Sequence, residues 1–120
     1  MEGPWAGSPL FEHSFSKPGV RDAVAAITRE FPGAEYLASQ RDHVKREWIV
    51  PDRLGEIRIP TDVLVGERET QGFLGFAEEA AAGVPGARLD VVVDGGHLLP
   101  IEAPQLVAAS IIGASQRSNA

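Results

Sequence analysis

Two short segments of this sequence could do chemistry together. Gly66-Glu67-Arg68-Glu69 and Gly95-Gly96-His97 each follow an apolar, β-branched run bounded by proline and glycine. If those runs are adjacent parallel strands, both segments leave the sheet at its carboxyl edge, where open α/β sheets form their sites. A carboxylate there can hold the imidazole Nδ1–H and stabilise its cation, leaving Nε2 free for proton transfer. His97, Glu69 and Glu67 are therefore the candidate site residues. The other histidines, His13 and His43, stand alone in irregular or polar stretches and read as surface residues. No histidine or carboxylate spacing suggests a metal site, and no cofactor is expected.

The elements that must position these groups are legible in the periodicity. Pro60 opens a strand that runs to Gly66 through Val63, Leu64 and Val65. A helix over 71–83 follows, with Phe73, Phe76, Ala77 and Ala80 on one face and a glycine at its end. Pro85-Gly86 turns the chain into a second strand over 89–93. The apolar character of both runs suits parallel strands buried on both faces. The strand–helix–strand unit predicts a right-handed parallel crossover. A final helix over 103–114 has Pro104 in its first turn. Asp62 and Asp90 interrupt the two strands and are expected at edge positions facing water. Upstream, Val20, Val24, Ile27 and Phe31 recur at helical spacing between Pro18 and Pro32-Gly33. Residues 1–17 read as irregular structure that packs through Trp5, Phe11 and Phe15, and Trp48 reads as another packed aromatic. A short helix can form over 34–39, the charged run 40–47 reads as a solvated connector, and Pro51-Asp52 can open a turn over 53–57.

Composition narrows the function. The 120 residues are 43% hydrophobic and 23% charged, enough for one modest soluble core. A net charge of −6 argues against a nucleic-acid surface. No apolar stretch approaches the roughly 20 residues that span a bilayer, and the first residues do not read as a secretion signal. The absence of cysteine excludes disulfides and thiolate chemistry and fits a cytoplasmic protein.

Three runs together resemble the α/β-hydrolase family. Ile57-Arg58-Ile59-Pro60-Thr61 with Val63-Leu64-Val65-Gly66-Glu67-Arg68-Glu69 resembles its acid segment. Val84-Pro85-Gly86-Ala87-Arg88-Leu89 resembles the lead-in to its last strand, and Gly95-Gly96-His97-Leu98-Leu99-Pro100-Ile101-Glu102-Ala103-Pro104 its histidine loop. The resemblance covers roughly half the chain. It implies an α/β fold: the C-terminal portion of the hydrolase in residues 51–120, with two parallel strands in strand–helix–strand–helix order, preceded by a cap-like helical segment in residues 1–50. It also implies hydrolysis of an ester or related carbonyl compound, with His97 as general base and acid. Glu69 falls where the family usually has aspartate. Glutamate is one methylene longer, so a different rotamer must place its carboxylate; Glu67 is the second choice.

The family's third member is not encoded here. Its nucleophile should precede the acid, on a G-x-S-x-G turn between strand and helix. Ser8, Ser14, Ser16, Ser39, Ser110 and Ser118 do not fit that turn, Ser115 has Gly113 before it but Arg117 after it and follows the histidine, and no aspartate sits in an equivalent elbow. Three expectations remain open. The chain is a truncated or split hydrolase, inactive alone, whose complementing fragment carries the nucleophile. Or it is a non-catalytic binding or regulatory module that associates with itself or a relative through an exposed sheet edge. Or the Glu69–His97 pair acts alone as a general base on a small-molecule substrate. No nucleic-acid or membrane partner is expected.

Overall fold

The computed structural model describes residues 7–31 and 50–118. Trp5, His43, Trp48, the expected helix over 34–39 and the charged run over 40–47 lie outside the described residues. Helices α1 (Pro9–Phe15) and α2 (Val20–Glu30) come first, then α3 (Val50–Arg53) and a 3₁₀ turn (Leu54–Glu56). Strand β1 (Asp62–Gly66), helix α4 (Gln71–Gly83), strand β2 (Arg88–Val92), and helices α5 (Leu99–Glu102) and α6 (Pro104–Ser118) follow.

The two strands pair in parallel, Asp62 opposite Arg88 and Gly66 opposite Val92, so their carboxyl ends finish level. Backbone pairing continues beyond both strands: Glu67 N–H donates to Val92 O at 2.9 Å, and Arg68 N–H to Gly95 O at 2.8 Å. The loops that follow β1 and β2 are thus tied together before either side chain is considered. Gly66 makes this approach sterically feasible. A Cβ there would overlap Gly95 O and lie 2.5 Å from both Gly95 C and Gly96 O. Only a glycine lets the two backbones meet this closely.

Three expectations need correction. Part of the supposedly irregular N-terminal stretch is helical, over Pro9–Phe15. Ser8 caps it, its Oγ accepting from Leu10 N–H at 3.3 Å, with Pro9 and Glu12 in the first turn. Such a short helix is marginal by itself, so tertiary contacts must hold it.

The second correction concerns β2. Its residues are mostly exposed, whereas Val65 of β1 is buried. Helices α4 and α6 both pack against β1, and β2 has a strand neighbour on one side only. Two strands do not suffice to bury an outer strand on both faces.

The third is Asp62, which does not face water. Its side chain is only 10% exposed and accepts from Arg117 Nη2 at 2.6 Å and from Ser110 Oγ at 3.4 Å. Helix α6 runs to Ser118 rather than ending near Ala114, and that extra length brings the arginine to the strand. The Arg117 guanidinium holds the Asp62 carboxyl below the usual carboxylate range, against a smaller opposing effect of burial. Asp90 does face water.

Val20, Val65, Ala77, Val84 and Leu99 form the apolar core of the described residues. More large apolar side chains are exposed than buried among them, including Ile59, Phe76, Leu106, Ile111 and Ile112. No described helix is long and apolar enough to cross a membrane.

Candidate active site

The turn after β1 closes with Glu69 N–H donating to Gly66 O at 3.1 Å, and Thr70 then starts α4. This turn sets Glu69 beside the loop that follows β2. Glu69 Oε1 is hydrogen-bonded to His97 Nδ1, and its Oε2 accepts from Thr70 N–H at 2.9 Å. The carboxylate is 7% exposed and the imidazole 23%. His97 Nε2 has no hydrogen-bond partner among the described residues. The ring is held edge-on by two phenylalanines: Phe11 of α1 at 5.4 Å and Phe73 of α4 at 4.7 Å between centroids. Such contacts orient a ring without competing for its nitrogens.

Glu67 is used differently. Its Oε2 accepts from Asp94 N–H at 3.0 Å and lies 3.9 Å from Arg68 Nε. The structure therefore brings Glu69 to His97 and gives Glu67 to the backbone of the neighbouring loop. Asp94 has a left-handed conformation, φ 54°, which aspartate tolerates better than most residues. Its carbonyl accepts from Lys17 Nζ and interacts with His13 Nε2 at 3.0 Å. His13 is thus partnered, 3.1 Å from Asp94 Oδ1. Among the described residues no cluster of histidine and carboxylate groups could hold a metal.

A second carboxylate, unassigned from sequence, lies under the histidine loop. Glu102 has a fully buried side chain. Its Oε2 accepts from Gly96 N–H at 2.9 Å and lies 3.1 Å from Lys17 Nζ. Its Oε1 accepts from Leu98 N–H at 3.1 Å and from Ser14 Oγ at 2.5 Å. Ser14 is itself fully buried and also accepts from Leu98 N–H, at 3.1 Å. A Cβ on Gly96 would lie 2.6 Å from Ser14 Oγ, so the second glycine before His97 makes room for this serine. No spacing signal could connect residues 88 positions apart. The only local hint is that Glu102 stands shortly after Pro100 in the histidine run.

Burial alone pushes the Glu102 carboxyl up, but hydrogen bonds from Ser14, Gly96, Lys17 and Leu98 outweigh it and hold it below the usual range. A carboxyl depressed on folding stabilises the fold above its unfolded value, and that contribution disappears as pH falls through the folded value. Thermal melts from about pH 6 to about pH 3 should therefore show a falling midpoint that is shallower in Glu102→Gln. An unchanged slope would remove Glu102 as a cause.

Ser8, Ser14, Ser16 and Ser110 have partners elsewhere, Ser16 Oγ for instance donating to His13 O at 2.6 Å. None is hydrogen-bonded to His97 in the described region. A groove of about 720 Å³ is lined by Glu69, His97, Phe73 and Leu99 together with Ile59, Phe76 and Ile111, and takes its residues largely from β1, α4 and α6.

No protein-family model matches this chain, and no curated protein matches its sequence. Its structure is similar to that of MenH from S. aureus, an α/β-hydrolase-family enzyme, with a TM-score of 0.71 and 21% sequence identity. The match covers 97% of this chain and 44% of that one. The chain thus spans less than half the length of its structural neighbour, and at this identity the likeness establishes an α/β fold of the α/β-hydrolase kind.

Proposed function

We propose that these 120 residues carry the acid and histidine of an α/β-hydrolase site, and that the nucleophile comes from sequence outside them. The observation that supports this reading best is the Glu69–His97 hydrogen bond at the level carboxyl ends of two parallel strands. With Nδ1–H given to Glu69, Nε2 can take the proton of an attacking hydroxyl and return it to the leaving group. The thioester, ester and lactone chemistry open to such a pair shares one requirement, a tetrahedral oxyanion held by donors near the nucleophile. Those donors would also come from outside this sequence. Residues 51–120 are then the C-terminal part of the hydrolase, and residues 1–50 part of its cap. The glutamate at the acid position fits because Thr70 N–H fixes its far oxygen.

The test begins with the neighbouring coding sequence. It should encode a G-x-S-x-G or aspartate elbow, and co-expression of that polypeptide should give activated-ester hydrolysis. Absence of any elbow would sink the split-enzyme reading.

A second reading has its own support. Among the described residues β1 has an unpaired edge, and Ile59, Phe76 and Ile111 stand 69%, 65% and 65% exposed along the groove beside it. A binding module would associate there through main-chain pairing and apolar burial. Light scattering should show a species larger than the monomer, shifted to monomer by Phe76→Lys with Ile111→Lys. A concentration-independent monomer in the unmodified chain would count against it.

A further inference from the structure

The carboxylate beneath the histidine loop does more than its position in a short helix requires. A side chain capping α5 needs only the Leu98 N–H, and Glu102 takes that one with Oε1 at 3.1 Å. Its other oxygen accepts from Gly96 N–H at 2.9 Å. The two amides on either side of His97 are therefore fastened to the two oxygens of one buried carboxylate. The bond between Arg68 N–H and Gly95 O holds the loop only before this point. Consecutive glycines give residues 95 and 96 the widest backbone freedom in the chain, so the ring's placement depends on what restrains the segment after them.

The restraint is itself anchored from the N-terminal region. Ser14 Oγ donates to Glu102 Oε1 and accepts from Leu98 N–H, and the Lys17 ammonium lies 3.1 Å from Oε2. The charged and titratable groups around the carboxylate are Lys17 on α1's side and, one contact further out, Asp94 with His13. We infer that Glu102, fastened by Ser14 and Lys17, is a positioning residue that holds His97 Nδ1 on Glu69. The inference rests on the reading of His97 as the proton carrier and extends it to a residue that touches neither the ring nor any substrate.

Glu102→Gln preserves shape while replacing one oxygen by an N–H₂ group. Whichever way the amide turns, a donor faces another donor: Gly96 N–H and Lys17 on one side, Leu98 N–H on the other. The loop must shift, and the ring with it. Ser14→Ala is the milder change, removing one donor to the carboxylate and one acceptor for Leu98. The measurement is the nitrogen-15 spectrum of the His97 imidazole in the labelled full chain at about pH 9, above the ordinary imidazole range, where it reports the tautomer. The unmodified chain should show a single Nδ1-protonated form. Glu69→Ala, which removes the partner of Nδ1 altogether, supplies the released-ring reference. Glu102→Gln should lose the single form and move toward that reference, and Ser14→Ala should move part of the way.

Wild-type nitrogen shifts in folded Glu102→Gln would overturn the inference. If Glu102→Gln does not fold, wild-type shifts in Ser14→Ala overturn it and a partial shift supports it. Esterase failure in every assembly would sink the hydrolase reading yet leave this spectrum unaffected, so the two failures are distinguishable.

Discussion

Gly66→Ala is expected to lower the free energy of unfolding by about 3 kcal/mol, the upper end of what overpacking a filled site costs. The new methyl group would occupy the space of Gly95 O and lie 2.5 Å from Gly96 O. These are backbone atoms and cannot swing aside like the tip of a side chain. Relief requires the loop after β2 to lift from the end of β1, breaking the Arg68 N–H to Gly95 O bond. That same movement separates His97 from Glu69, so stability and site geometry fail together. Against the roughly 5–15 kcal/mol that holds a typical domain, such a loss is large. Gly75→Ala is the matched control. It lies within α4 with nothing within 4 Å of the added carbon, and alanine there should stabilise the helix by about 0.5–1 kcal/mol. Urea titration of both variants checks the contrast in sign. Equal midpoints for the two variants would show that the close approach does not matter.

The second large effect belongs to His97 itself. In an assembly that includes the nucleophile, His97→Ala should reduce ester hydrolysis by about 10²–10⁴-fold, the usual contribution of a positioned proton-transfer group. Glu69→Gln should approach that loss for a different reason. A carboxylate accepts only, and so selects the imidazole with its proton on Nδ1. A side-chain amide can donate to Nδ1 instead, which puts the proton on Nε2 and removes the base. Glu67→Gln should leave the rate nearly unchanged, because Glu67 serves the Asp94 N–H rather than the ring. Steady-state rates on an activated ester order the three variants. A Glu67→Gln loss larger than that of Glu69→Gln would reverse the assignment of the acid.

Much of the C-terminal framework was legible because its signals are local. The apolar face and closing glycine of α4 place its ends at residues 71 and 83, where the structure has them. Proline and glycine bracket both strands to within a residue or two. The Glu69–His97 juxtaposition follows from the carboxyl ends of parallel neighbours, which needs no tertiary detail. What was not legible depends on distant partners. Asp62 looks like a polar interruption of a strand until Arg117, 55 positions later, reaches back to it. Ser14 fails every test for a nucleophile, and nothing near it announces that it is fully buried against Glu102. The α1 helix was hidden because prolines and glycines dominate its surroundings, although Ser8 and Pro9 are a serviceable helix start.

On the proposed reading, the open edge of β1 and the exposed apolar residues beside it are the surfaces that the nucleophile-bearing sequence would cover. On that same reading these residues hold an acid and a histidine but no nucleophile. The most direct test is hydrolysis of a generic activated ester by the 120-residue chain alone, beside its His97→Ala variant, with mass spectrometry of the intact protein during the reaction. The two proteins should show identical background rates and no acyl adduct on any serine. A turnover that His97→Ala abolishes, or an acylated serine within this chain, would contradict the reading.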